Sequence, residues 1–269
     1  MSLLEASGIH FAYGDQPVLR DASIAVEPGQ LVGLIGPNGA GKTSLLKIAA
    51  GLLEPAAGEL RWGERSLQAM PAPERARYLG YLPQGAPAHW PLSVERVVEL
   101  GRVPHRAWWQ RLSDADQQAI ERAFAQADID MLRGRIVTTL SGGERARVML
   151  ARVFATRPQV ILADEPVASL DPFHQLQVME TLREHAATGG GVLVVLHDLN
   201  LAARYCDRLL LLDRGAVVAE GTTRQVLDDP ALASTYAVSV EVLEDDSGLW
   251  VRYRGESPPG PASVDRLDK

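Results

Sequence analysis

The sequence predicts an α/β chain. Its core is a parallel sheet built around a phosphate-binding loop, with an N-terminal antiparallel β subdomain and an inserted α-helical subdomain. Three observations predict this. The octapeptide Gly36-Pro37-Asn38-Gly39-Ala40-Gly41-Lys42-Thr43 has the P-loop spacing G-x-x-x-x-G-K-[ST], and it stands between a strand-like run, Gln30–Ile35, and a helix-like run beginning at Ser44. The second half alternates strand-length apolar runs with helical stretches, the texture of a parallel sheet. Between these parts, from about residue 85 to 157, the apolar spacing is helical.

The elements follow in order. Strands are expected at Leu4–Phe11, Val18–Val26 and Gln30–Ile35, separated by the turn residues Tyr13-Gly14-Asp15 and Glu27-Pro28-Gly29. The P-loop helix is expected over Ser44–Ala50, and Gly58–Leu67 reads as a hairpin. In the inserted region, Ser93–Leu100 carries Val94, Val97 and Val98 on one face. Ser113-x-x-Asp116 is a capping-box pattern opening a helix that gathers Ile120, Phe124 and Ala127. Val160–Ala163, the helix Phe173–Ala186, Val192–Leu196, the helix Leu199–Tyr205 and Leu209–Leu212 complete the sheet. Residues 1–244 are expected to form one domain with the 85–157 helical insertion. Residues 245–269 are expected to be a partly disordered extension, above all after Gly255, where Pro258-Pro259-Gly260-Pro261 occurs. Trp108-Trp109 is expected to be a partly buried aromatic pair. Neither it nor Trp90 nor Cys206 carries a functional expectation.

Composition sets limits. At 46% hydrophobic, the 269 residues bury a sizeable core and do not read as disordered. A net charge of −7 argues against a general nucleic-acid binder, which needs a basic face. The single cysteine allows no internal disulfide, as suits a reducing compartment. The start, Met1-Ser2-Leu3-Leu4-Glu5, does not read as a secretory signal, and no apolar run approaches the ~18 residues of a membrane helix. Work at a membrane would need another chain to span it.

The residue types specify a chemistry. The P-loop glycines let backbone N–H groups close on an anion without a Cβ in the way. Lys42 brings a point charge to β- and γ-phosphates, and the Thr43 hydroxyl is a ligand for Mg²⁺. The rival dinucleotide fingerprint fails, because Gly41 is followed three residues on by Ser44 rather than glycine. Asp164 and Glu165 follow the apolar strand Val160–Ala163 at once. Carboxylates there are costly without a cation, and beside a P-loop that cation is Mg²⁺. In this Walker B arrangement Asp164 serves the metal, and Glu165 orients or deprotonates an attacking water. Leu140-Ser141-Gly142-Gly143-Glu144 combines a capping box, Ser141-x-x-Glu144, with two glycines in the first turn of a helix expected over Arg145–Phe154. The glycines cost helix stability and leave bare N–H groups at a positive helix end, an anion site whose anion the sequence does not name.

Leu-Ser-Gly-Gly-Glu between a P-loop and a Walker B strand resembles the signature of ATP-binding cassette (ABC) ATPases, over about residues 3–240. The resemblance implies that ATP and Mg²⁺ are the ligands and that Gly36 through Ser44 cradle the phosphates. It makes Tyr13 the adenine-stacking aromatic. Gln84, in Tyr81-Leu82-Pro83-Gln84, becomes the Q-loop residue that joins the Mg²⁺ shell and faces a transmembrane partner. Ser169-Leu170-Asp171 becomes the D-loop, and His197 the switch histidine. Catalysis then falls to Glu165, His197 and Gln84. Nucleotide contacts fall to Tyr13, the P-loop, Ser141, Gly142, Gly143 and Asp171, and the metal to Thr43, Gln84 and Asp164. Two departures, Arg145-Ala146-Arg147 after Glu144 and Val167-Ala168 before Ser169, remove no phosphate ligand. Leu100–His105 and His197–Tyr205 look most like ATPases that energise uptake of ferric siderophores, haem or cobalamin. The implied assembly is a homodimer of cassettes with two transmembrane permease subunits and a periplasmic substrate-binding protein, peripheral on the cytoplasmic face of the inner membrane. The alternative is a soluble ABC ATPase without a permease, such as one serving iron–sulfur assembly.

Overall fold

The computed structural model describes residues 2–85, 91–107, 109–168, 170–245 and 248–254. Trp90, Trp108, Ser169 and the tail after Gly255 lie outside the described residues.

Twelve strands are described in three sheets. β1 (Leu4–Tyr13), β2 (Gln16–Val26), β4 (Ala57–Trp62) and β5 (Arg65–Ser66) form an antiparallel sheet in the order β2-β1-β4-β5. β3 (Leu31–Ile35), β6 (Leu79–Leu82), β7 (Val160–Asp164), β8 (Gly191–Val195), β9 (Arg208–Asp213) and β10 (Ala216–Thr222) form the central sheet in the order β10-β9-β3-β8-β7-β6. All its pairings are parallel except that of the edge strand β10. β11 (Ser239–Asp245) and β12 (Gly248–Arg254) make a separate hairpin.

The central strands are apolar along their whole length because both faces are covered, and the strand period of two divides their side chains between two cores. Val32, Leu34, Leu162, Leu193 and Leu210 face α1 (Lys42–Ala49) and the antiparallel sheet. Leu31, Ile35, Ile161, Val192 and Leu209 face the opposite core. That second core includes α5 (Gly142–Ala155), α6 (Pro172–Ala187), α7 (Leu199–Tyr205), α8 (Thr223–Leu227) and α9 (Pro230–Tyr236). α2 (Ala72–Tyr78) leads into β6.

The helical insertion is built from α3 (Val94–Glu99), a 3₁₀ turn over Leu100–His105, α4 (Asp114–Gln126) and α5. α4 carries the expected capping box, with Ser113 and Asp116 capping each other's N–H groups. Asp116 does a second job. Its Oδ1 accepts from Arg102 Nε at 2.8 Å, and Arg102 Nη1 also donates to the Ala155 carbonyl at 2.6 Å. One buried cation thereby ties the 3₁₀ turn to α4 and to the end of α5. Burial would raise the Asp116 pKa, but the Ser113 N–H and hydroxyl and the Arg102 guanidinium outweigh it and hold it at about 2. A depressed carboxyl stabilises the fold above its unfolded pKa, so this contribution is lost as pH falls from about 4 through about 2. Arg102→Met leaves the buried carboxylate without its cation and should cost about 3–5 kcal/mol in urea unfolding at neutral pH. A loss under about 1 kcal/mol, the range of a surface pair, would show that this tie does not hold the insertion.

One difference from the sequence reading concerns an aromatic residue, and the C-terminal extension is described as far as Arg254. Trp109 is 69% exposed rather than partly buried. The stretch up to Arg254 forms β12, whose Val251 is buried in the second core.

Candidate active site

β3, β6, β7 and β8 all end at the same carboxyl edge of the central sheet, where ligands bind in open parallel sheets. That edge receives the P-loop after β3, Gln84 after β6, Asp164 and Glu165 at the end of β7, and His197 after β8.

The P-loop takes its shape from crowding. Gly36 has φ +147°, and a Cβ there would stand 2.1 Å from the Leu212 carbonyl of β9. Gly41 has φ +106°, with the Val18 carbonyl and the Leu19 side chain pressed against it. Only glycine satisfies both demands. Lys42 curls back over the loop, its Nζ donating to the carbonyls of Gly36 at 2.7 Å and Pro37 at 2.9 Å. Burial lowers the Lys42 pKa, and the Glu165 and Asp164 carboxylates oppose that shift.

β7 delivers the two carboxylates in different directions. Glu165 is one of the few non-glycine residues with positive φ, +48°. This left-handed turn lets Asp164 stay in line with the sheet while Glu165 faces the cleft. Asp164 is 1% exposed and accepts from the Thr43 hydroxyl at 3.2 Å. Its pKa is raised, first by burial and also by Glu165, against the Thr43 hydrogen bond and nearby lysines. The same surroundings push the Tyr81 phenol up to about 12, by burial and then by Asp164. Glu165 is gripped on both oxygens. Gln84 Nε2 donates to Oε2 at 2.6 Å, and His197 Nε2 lies 2.6 Å from Oε1. Gln84 and Glu165 line the same cleft as Asn38, Lys42 and Thr43. Six expected residues from four separate stretches of sequence therefore meet in one place: Lys42, Thr43, Gln84, Asp164, Glu165 and His197.

Asn38, Gly39, Gly41 and Ser44 line that cleft as well, whereas Tyr13, Ser141, Gly142, Gly143 and Asp171 stand outside its lining. Tyr13 is 53% exposed at the end of β1, with its ring edge-on to Phe11 at 4.8 Å. Ser141 caps α5. Its N–H donates to Glu144 Oε2 at 2.8 Å, its Oγ accepts from the Glu144 N–H at 3.2 Å, and Arg135 holds Glu144 at 2.7 Å. Ser141 and Gly142 are exposed, and Gly143 is covered by the His174 ring. Asp171 caps α6 through the His174 N–H and binds the His174 ring at 2.7 Å. The His174 backbone and side chain lower its pKa. Within one chain Gly142 lines a neighbouring cleft with Gln84 and Glu165, and neither it nor Ser141 lines the P-loop cleft itself.

The profile of the family described as ABC transporter matches residues 19–168. A hemin import ATP-binding protein of Pseudomonas entomophila (strain L48) is 45% identical over 245 residues, covering 89% of this chain and 94% of that protein. The chain belongs to the ABC transporter family. It is an ATPase of that family. An ATP-binding subunit of an ABC transporter has a solved structure with TM-score 0.74 and 30% identity, over 88% of this chain and 98% of that one. A bacterial ABC transporter cassette solved as a dimer gives TM-score 0.72 and 26% identity, over 82% and 99%. Among the described residues, no helix of this cassette is long and apolar enough to cross a membrane.

One positioning residue escaped the sequence reading. The Gly36 N–H donates to the Tyr236 hydroxyl at 2.7 Å, across 200 residues of sequence. No local pattern signals such a contact.

Proposed function

We propose that this cassette binds MgATP in the P-loop cleft and hydrolyses it to energise hemin import through two transmembrane subunits. The observation that carries the catalytic part is the double grip on Glu165. A carboxylate held by Gln84 on one oxygen and His197 on the other is fixed in direction, as a group that orients a water must be. The cargo is taken from the hemin import relative. Relatives named for import also make a soluble ATPase without a permease the weaker reading.

The hard oxygen donors at the cleft fit Mg²⁺: the Thr43 hydroxyl, the buried Asp164 carboxylate whose charge lacks a lysine in hydrogen-bond contact, and the Gln84 amide. When bound, Mg²⁺ would neutralise the charge that develops on the phosphates. Lys42 and the P-loop N–H groups hold the β- and γ-phosphates, with Gly36 through Ser44 as the cradle. Glu165 aligns water with the γ-phosphorus, and His197 steadies that carboxylate from the far side. Tyr13 offers an exposed ring to the adenine. Ser141, Gly142, Gly143 and Asp171 act across a dimer interface. The exposure of Ser141, Gly142 and Asp171 and the dimeric relative support this arrangement. An apolar groove holding Leu52, Leu79, Leu100 and Pro104, beside the exposed Val103, offers a seat for a transmembrane subunit. A periplasmic binding protein and a place on the cytoplasmic face of the inner membrane complete the assembly.

Deletion of the gene should abolish growth on hemin as the sole iron source and leave growth on ferric citrate intact. Wild type should restore hemin use and Glu165→Gln should not. Unchanged growth on hemin in the deletion strain refutes the cargo, and restoration by Glu165→Gln refutes the role of hydrolysis.

A further inference from the structure

The C-terminal segment reaches the P-loop and the helix that follows the switch histidine. α9 stops at Tyr236, because Ala237 turns into the left-handed region at φ +53°. The Tyr236 ring packs against the second core, and its hydroxyl oxygen meets the Gly36 N–H at 2.7 Å. Fourteen residues after Ala237, the Val251 N–H of β12 donates to Asn200 Oδ1 at 2.7 Å. Asn200 lies in the first turn of α7, which begins two residues after His197. The segment therefore touches the start of the P-loop and the helix that follows the switch histidine.

Gly36 is held from three sides. Leu212 of β9 closes in behind its Cα, and Lys42 bonds its carbonyl. The phenol takes its N–H, which has no strand partner because the β3–β9 pairing ends at Ile35. Of the three, only the phenol comes from outside the P-loop and the central sheet. We propose that Tyr236 is a positioning residue for nucleotide binding: its hydroxyl pins the first P-loop residue and so keeps the loop in its phosphate-binding shape. Burial pushes this phenol up to about 12, so it remains a neutral acceptor at physiological pH.

The direction of the effect follows from what Tyr236 touches. It contacts neither Glu165 nor the metal ligands, so it serves ground state and transition state alike. Losing such uniform binding raises KM and leaves kcat in place. A loop pinned beforehand also loses less freedom when the anion arrives. This inference rests on the ATPase reading above.

Tyr236→Phe keeps the ring and removes the acceptor. In the full-length chain, calorimetry should show Kd for both MgATP and MgADP rising about three- to tenfold, the worth of one net hydrogen bond. KM should rise in parallel, kcat should stay within about twofold, and the nucleotide-free Tm should fall by no more than about 4 °C. Tyr253→Phe removes a second phenol of the same segment, one that bonds the Leu199 backbone rather than the P-loop, and should leave Kd for both nucleotides within about twofold of wild type. Unchanged Kd in Tyr236→Phe overturns the proposal. So does a lowered kcat and nucleotide-free Tm with Kd intact, the mark of a merely structural residue. Wild type that fails to bind MgATP overturns the ATPase reading itself, so the two failures are distinguishable.

Discussion

Glu165→Gln should bind MgATP as wild type does, lose about 10²- to 10⁴-fold in turnover, and accumulate as an ATP-bound dimer. The change is close to isosteric and removes a single charge. In the wild-type cleft, Glu165 Oε2 accepts from Gln84 and Oε1 meets His197. A glutamine at 165 keeps one of these contacts as it stands and needs the partner's amide or imidazole tautomer to change for the other. Both partners are able to do so, so the side chain should remain in place. What disappears is the base, together with its pull on a water proton. Binding is untouched because the groups that meet the phosphates, Lys42 and the loop N–H groups, are elsewhere. Phosphate release measured under single-turnover conditions checks the rate, and sedimentation checks the dimer. Wild-type phosphate release would remove Glu165 from the chemistry.

Ser141→Arg should leave ATP binding by the monomer within about twofold and abolish nucleotide-driven dimerisation. The reasoning begins at a helix end. Gly142 and Gly143 stand in the first turn of α5, where N–H groups have no partner within the helix; Ser141 and Gly142 are exposed, and Gly143 lies under the His174 ring. Neither Ser141 nor Gly142 lines the cleft of its own P-loop, so the anion they meet is expected to belong to another molecule. A long cationic side chain at 141 obstructs that approach. It also removes the cap on the Glu144 N–H, which by itself costs about 1 kcal/mol. Ser141→Ala separates the two effects, because it loses the cap and adds no bulk. The comparison to make is sedimentation of Glu165→Gln with and without Ser141→Arg, in ATP and Mg²⁺. Equal dimerisation in the two proteins would show that the signature does not clamp a partner's phosphate.

The parts of this site that were legible in the sequence are the contiguous ones. The P-loop, Asp164-Glu165 and Ser141–Glu144 each state their chemistry within eight residues or fewer, because one turn or one helix end determines the spacing. The core strands were legible for a similar reason. Burial on both faces leaves an unbroken apolar run, as at Val160–Ala163. Elements with mixed burial were missed. β10 and β11 are half-covered along most of their length, and their residues mix apolar and charged types without a clean period. β6 is four residues long with Gly80 inside it, too short for a pattern to emerge. Gln84 and His197 were placed only through the family resemblance. Their convergence on Glu165 is a property of strand order, which no single stretch of sequence expresses. Tyr236 is the extreme case. It is a tyrosine in a seven-residue helix, and its importance lies in a backbone N–H near the other end of the chain.

The order of strands in the central sheet also has a consequence for synthesis on the ribosome. β3, which launches the P-loop, is made among the first elements, yet its neighbours β8 and β9 are encoded after residue 190. The antiparallel sheet, complete by Ser66, can begin to form as soon as it emerges. The P-loop strand meanwhile waits about 10–30 s for its partners at ordinary elongation rates of 5–20 residues per second. During that interval Leu31, Val32, Leu34 and Ile35 form an apolar strand with both edges open, the kind of segment that pairs with the wrong chain. The nascent cassette therefore needs its first half shielded until its last third arrives. A chain interrupted between β7 and β8 would carry every phosphate-loop residue and still have no sheet to mount them on.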